Sequence, residues 1–120
     1  MADTGLFLVR GILIVNVPDE LHDEMALSLQ SAIALRLRDS ACAGVVLDIS
    51  NVSMIDTFIG RVLLAIGQAA KLMGATTVVA GMQPAVAMTL VELGMSLDGM
   101  VTALTVDDAM DRIGEGLVPL

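Results

Sequence analysis

The side chains that could carry out catalytic chemistry are scattered along this sequence. His22 is the only histidine and lies in an acidic stretch, so we interpret it as a solvated surface residue. Ser50, Ser53 and Thr57 carry hydroxyl groups, but no histidine or lysine stands near them in sequence to serve as a base. Acidic pairs occur where helices are predicted to begin, and the helix dipole explains them without catalysis. We therefore predict no enzymatic activity. The alternative is an enzyme whose general base is distant from these hydroxyl groups in sequence and close to them in the fold.

Metal, cofactor and nucleic-acid sites are also disfavoured by residue type. The single cysteine, Cys42, has no second thiol for an internal disulfide and no neighbours for a zinc site, so we interpret it as a reduced, buried filler. Two Phe and no Trp or Tyr leave few platforms for stacking a base or a cofactor ring. Six basic residues against 14 acidic ones give a net charge of −8, whereas phosphate backbones require clustered cations. We predict no metal, no cofactor and no nucleic acid.

The chain is unusually apolar for its length of 120 residues. Hydrophobic residues make up 56% of it and the mean hydropathy is +0.84, which indicates that part of the apolar surface is buried in an interface. Charged or turn residues interrupt every apolar stretch before the roughly 20 residues that a membrane-spanning helix needs. Residues 1–5 lack the features of a secretory signal. We expect a cytoplasmic protein that does not enter a membrane.

The pattern of strands and helices predicts one α/β domain over residues 1–120 with a mixed sheet, in the order β-β-α-β-α-β-α-β-α. A helix is expected to open at Pro18-Asp19-Glu20, with Asp19 as its N-cap, and to end near Asp39. The other predicted elements are strands at Leu6–Arg10, Ile12–Val17, Gly44–Ile49, Thr76–Ala80 and Met100–Leu104, and helices at Phe58–Met73, Ala85–Leu93 and Thr105–Ile113.

The turn after the apolar run GVVLDI is the most informative part of the sequence. It follows a strand predicted to be buried on both faces, and Asp56-Thr57 opens the next helix at the carboxyl edge of the sheet, where parallel sheets usually bind ligands. One interpretation is that Asp56 and Thr57 only cap the helix. The other is that Thr57 accepts a phosphate, which free amides and the dipole of a helix N-terminus can hold.

Two long segments resemble a known family. GVVLDISNVSMIDTFIGRVL resembles the core motif of STAS domains in the anti-sigma-factor antagonist family, and KLMGATTVVAGMQPAVAMTLVELGM extends the likeness. It covers the chain from about Leu6 to Ile113. Within the family, the chain is most similar to the stand-alone scaffold subunits of the stressosome, a large stress-signalling complex.

The resemblance implies partners and a switch. Such scaffolds sequester an RsbT-like serine/threonine kinase and assemble with RsbR-like STAS sensor proteins into a homo- or hetero-oligomeric complex. The kinase phosphorylates the hydroxyl residue after the motif's aspartate, which is Thr57 here, although serine is usual. The kinase is then released. The surface implied for kinase binding consists of Ser53, Asp56, Thr57, Phe58, Ile59, Gly60 and Arg61.

Three questions stay open at this level. The chain could instead be a simple anti-anti-sigma factor that binds an anti-sigma kinase one to one, or a small enzyme or ligand-binding domain that uses a crevice near Asp48 and Asp56. Thr89 is a second hydroxyl, but its place within a helix favours packing or bonding to the preceding turn. Finally, several methionines could contact partners or fill the core: Met82, Met88, Met95 and Met100.

Overall fold

A five-stranded mixed sheet lies at the centre of the computed structural model, which describes residues 5–97 and 100–115. The strands stand side by side in chain order, with β1 and β2 antiparallel and the remaining pairs parallel. This confirms the predicted mixed α/β fold and its element order. The strands are β1 (Leu6–Val9), β2 (Ile12–Asn16), β3 (Gly44–Asp48), β4 (Thr76–Ala80) and β5 (Val101–Ala103); the helices are α1 (Asp23–Asp39), α2 (Thr57–Leu72), α3 (Pro84–Glu92) and α4 (Val106–Gly114).

The hairpin between β1 and β2 is made by two residues in the left-handed region. Arg10 has φ 51° and Gly11 has φ 76°, and Val9 pairs with Ile12 on either side of them. Positive φ at both central residues is typical of the tight turn that matches the twist of paired strands. Gly11 adopts this conformation without the steric cost that a Cβ would add.

Hydrophobic clusters cover both faces of the sheet. The larger cluster joins the sheet to α1, α2 and α3, while α4 covers the opposite face and supplies Ala109 and Ile113 to a second cluster. Val45, Val46 and Leu47 in β3 are all fully buried. Burial of consecutive residues is expected for a central parallel strand covered on both faces.

The helix ends test the predicted caps. Asp56 accepts a hydrogen bond from the Ile59 amide, which confirms it as the cap of α2, and Thr105 caps α4 by accepting one from the Asp108 amide. The prediction for α1 was wrong: this helix begins at Asp23 after His22, and Asp19 does not cap it. The Asp19 carboxylate instead accepts hydrogen bonds from Ser53, 34 residues away.

The methionines divide between the two expected roles. Met82, Met95 and Met100 are half-buried and pack against the larger core cluster, whereas Met88 is 64% exposed. Cys42 is half-buried against the same cluster, and desolvation raises the pKa of its thiol. Across residues 5–97 and 100–115, no helix combines the length and the apolar character needed to cross a bilayer.

Candidate functional site

The loop between β3 and α2, residues 49–56, lies at the carboxyl edge of the parallel strands. Paired residues at this edge are Asn16 with Asp48, Asp48 with Ala80, and Ala80 with Ala103, so four strands end side by side there. This edge is where open α/β sheets usually present their functional loops. The fold therefore places the loop and the start of α2 on an accessible side of the molecule.

Hydrogen bonds fix the first half of the loop to the end of the sheet. The Asp48 carboxylate accepts from the Ser50 amide at 3.0 Å, and the Gln83 side-chain amide donates to the Ser50 carbonyl at 2.8 Å. The Val52 amide donates to the Ile49 carbonyl at 3.0 Å, and Val52 itself is buried. These bonds hold the chain from the end of β3 to Val52 in one path.

Two carboxylates hold the second half of the loop. One oxygen of Asp19 accepts from the Ser53 amide at 2.9 Å and from the Ser53 hydroxyl at 2.8 Å. These bonds lower the pKa of the Asp19 carboxyl, with the backbone amide making the largest contribution. Asp56 then accepts from the Ile59 amide at 2.8 Å and starts α2. The loop is therefore tied both to the segment before α1 and to the helix that follows it.

Thr57 is the first residue of α2 and is exposed. Among residues 5–97 and 100–115, nothing forms a hydrogen bond with its hydroxyl group. The first turn of α2 contains no acidic residue, and the first amides of a helix have no partner within the helix. Asp56 already accepts from the Ile59 amide, so a phosphate on Thr57 would lie beside the remaining first-turn amides, at the positive end of the helix dipole and next to the Asp56 carboxylate.

The predicted kinase-binding residues fall into two groups. Ser53, Asp56, Thr57, Phe58 and Arg61 are exposed, while Ile59 and Gly60 are buried. A Cβ atom on Gly60 would lie only 2.6 Å from the Met95 sulfur, so this glycine lets α2 approach the segment after α3. The buried pair positions the helix, and the exposed residues form the available surface.

Sequence reasoning missed two residues of this region. Met54 is 83% exposed at the tip of the loop, an unusual position for a large apolar side chain. Asp19 reaches the loop from a distant part of the chain, and no local spacing indicates that contact. Met54 stands next to the apolar Ile55, so its local sequence does not indicate exposure, and the contact of Asp19 likewise required the tertiary structure.

The alternative crevice does not bring its two carboxylates into a shared site. Asp48 accepts the Ser50 amide of the loop, whereas Asp56 accepts the Ile59 amide of α2. A cleft of about 840 Å³ lies nearby between β1, β2 and α1, and its lining includes Leu21, Met25 and Asn51 but neither aspartate. In the described part of the chain, no group of three or more His, Cys, Asp or Glu side chains is arranged to hold a metal.

Thr89, the second hydroxyl considered, is already engaged. Its Oγ1 donates to the Ala85 carbonyl at 2.9 Å within α3. This confirms the predicted bonding to the preceding turn, which competes with any other use of the hydroxyl. Of the two threonines that the sequence singles out, Thr57 is the exposed one whose hydroxyl forms no hydrogen bond with the described residues.

Comparison with protein families identifies the fold. The family model described as STAS domain matches residues 8–109. The chain belongs to the STAS family. Among solved structures, this STAS domain is similar to RsbS of Moorella thermoacetica in a serine-to-glutamate variant, with 33% identity, a TM-score of 0.83, and coverage of 93% of this chain and 97% of that one.

Two further relatives are informative. One is a chain in a structure of the molecular architecture of the stressosome, a signal integration and transduction hub. It is 34% identical with a TM-score of 0.82, and the match covers 92% of this STAS domain and 96% of that chain. The RsbT co-antagonist protein RsbRC of Bacillus subtilis (strain 168) is 33% identical over 64 residues, 53% of this chain. This STAS domain spans about a quarter of that relative, because the match covers 23% of its length.

Proposed function

We propose that this protein is a non-enzymatic scaffold of the stressosome that acts in the cytoplasm as one STAS domain. The observation that carries the proposal is the end-to-end match with RsbS, which covers 97% of that chain. The match with RsbRC covers only 23% of its length, so the resemblance to a stand-alone subunit is the more complete one. The protein would assemble with RsbR-like STAS proteins into a large hetero-oligomeric complex.

We further propose that the scaffold sequesters an RsbT-like serine/threonine kinase through the surface around Thr57. The relative RsbRC is an RsbT co-antagonist protein, which supports an RsbT-like kinase as the partner. Met54 and Phe58 expose apolar surface beside Thr57, and such surface is typical of contact sites. Ser53, Asp56 and Arg61 form the exposed polar surround.

Phosphorylation of Thr57 would release the kinase by changing charge on an otherwise unchanged surface. A phosphate adds about −1.5 to −2 charges at neutral pH. Arg61 lies four residues further along α2, on the same face as Thr57, and has no ion-pair partner among the described residues. A phosphate paired with Arg61 would withdraw that cation from the kinase. Together with the Asp56 carboxylate, the phosphate would also place adjacent negative charges on the surface that the kinase contacts.

Binding of purified RsbT-like kinase to four forms of the chain tests the proposal. Wild type and Thr57→Ala should bind with similar affinity, whereas Thr57→Asp and Thr57→Glu should bind about tenfold or more weakly, because close like charges oppose association. After incubation with kinase, ATP and magnesium, fragment mass analysis should place one phosphate on Thr57 of the wild type. Equal affinity of all four forms, or a phosphate elsewhere, would contradict the switch.

The size of the assembly separates the scaffold from a simple anti-anti-sigma factor. The scaffold should form a complex of roughly megadalton mass when mixed with an RsbR-like protein, as measured by light scattering after gel filtration. A one-to-one complex with an anti-sigma kinase, and no large assembly, would favour the second function. The two outcomes need no variant and therefore do not depend on the role of Thr57.

A further inference from the structure

Five of the six residues between Val52 and Ile59 are exposed, so the chain around Thr57 has few anchors. Val52 is 4% exposed and Ile59 is 7% exposed, but every residue between them is exposed except the half-buried Ile55. A segment with so little buried surface gains little rigidity from packing, so its hydrogen bonds decide which conformation it holds. The path of residues 53–58 is therefore set by the contacts at Ser53 and Asp56, together with the packing of Ile55 against the larger core cluster.

Asp19 supplies the first of these two contacts from another part of the fold. A single oxygen of its carboxylate accepts both the amide and the hydroxyl of Ser53, at 2.9 and 2.8 Å. Hydrogen bonds to a carboxylate are stronger than those between neutral groups. We call this pair of hydrogen bonds the Asp19–Ser53 clasp.

The clasp joins two segments that also border the cleft of about 840 Å³. Pro18 and Leu21, on either side of Asp19, line the cleft from the segment before α1, and Asn51 lines it from the loop before α2. At this border the two segments are connected directly through Ser53 and Asp19. Loss of the clasp would allow the loop to move away from α1 while the buried residues Val52 and Ile59 stay in place.

We propose that Asp19 is a positioning residue for the phosphoacceptor segment, presenting residues 53–58 to the kinase in one conformation. This inference rests on the proposed function, since it assigns a role in recognition of Thr57. Asp19 touches neither the acceptor hydroxyl nor its helix cap. It lowers the cost of ordering the segment when the kinase binds, so its removal weakens recognition and leaves the transfer step unchanged.

Steady-state phosphorylation by the RsbT-like kinase tests the inference, with KM and kcat measured separately for each variant. Asp19→Ala should raise KM about threefold to tenfold with little change in kcat, the range expected for lost surface hydrogen bonds. Ser53→Ala should have a smaller effect because the backbone amide still donates to Asp19. Asp19→Asn should lie between wild type and Asp19→Ala, because its side-chain oxygen accepts the same two bonds without the strengthening that a charged acceptor gives.

Two controls distinguish the effect of losing the clasp from an effect of lost charge and from a loss of folding. Glu20→Ala removes a neighbouring exposed charge that makes no contact with the loop, and it should leave KM unchanged. Amide hydrogen exchange should be faster at Ser53 in Asp19→Ala and unaltered in the buried strand β3. The effect of combining Asp19→Ala with Ser53→Ala should be smaller than the sum of the two single effects, since the bond between the two side chains can be lost only once.

The possible outcomes are distinct. Unchanged KM in Asp19→Ala, together with normal phosphorylation of the wild type, would overturn the positioning role and leave the proposed function standing. Equal increases in Asp19→Ala, Asp19→Asn and Glu20→Ala would assign the effect to charge and also overturn it. A wild-type chain that the kinase neither binds nor phosphorylates would overturn the proposed function, and the inference with it.

Discussion

Helices α2 and α4 begin with similar caps but carry different charges in their first turns. Asp56 accepts from the Ile59 amide at 2.8 Å, and Thr105 accepts from the Asp108 amide at 3.1 Å. Helix α4 then has Asp107 and Asp108 in its first turn, whereas α2 has no acidic residue there. The positive end of α4 is compensated by two carboxylates, while α2 has only its Asp56 cap. A phosphate at Thr57 would thus enter a region where the helix still favours added negative charge.

Removing the two caps should have the largest effect. Asp56→Ala and Thr105→Ala should each lower the free energy of unfolding by about 0.5–2 kcal/mol, with the larger loss at Asp56. The difference is expected because α2 buries most of one face in the larger core, whereas α4 contributes two buried residues. Urea denaturation monitored by circular dichroism would measure both. A larger loss at Thr105 would show that the α4 start is the more important one for folding.

Changing the charge at the start of α2 should have a smaller effect of opposite sign. Thr57→Asp should raise the free energy of unfolding relative to Thr57→Asn by about 0.3–1 kcal/mol, because a carboxylate interacts favourably with a helix N-terminus. The two side chains have the same shape, so the difference isolates the charge. Lower stability of Thr57→Asp than of Thr57→Asn would indicate that repulsion from Asp56 outweighs the dipole.

Removing one charge at the start of α4 should have the smallest effect. Asp107→Asn should lower the free energy of unfolding by about 0.3–0.5 kcal/mol at low salt. Asp107 is the cleaner choice because Asp108 also lies 3.5 Å from Arg112 in an ion pair one turn away. The loss should disappear near 1 M salt, where the Debye length is about 3 Å. Persistence of the loss in high salt would assign it to something other than the dipole.

Local patterns were sufficient to predict most of the fold. The apolar run GVVLDI, the β-branched run at Thr76–Ala80 and the glycine and proline residues between them each reflect short-range chemistry, and the structure has strands at both places. Asp56 and Thr105 are caps for the same reason, since a cap acts three residues away. The resemblance to STAS domains then led from this fold to a family.

The errors and gaps arose where contacts are distant in sequence. Pro18-Asp19-Glu20 has the composition of a helix start, but the bond to Ser53 engages Asp19 and α1 begins later, at Asp23. The role of the methionines depended on neighbours such as Gly60, whose missing side chain makes room for Met95. Neither contact has a signature in the local sequence, because each joins segments brought together only by the sheet.

The exposed span between Val52 and Ile59 also has an evolutionary consequence. Substitutions at exposed positions away from caps and clasps usually change stability by less than about 0.5 kcal/mol. A position such as Met54, which is 83% exposed, can therefore diverge between related lineages with little risk to the fold that carries it. Paralogous switches that discriminate between different kinases could arise by substitutions in this short segment while the sheet stays the same.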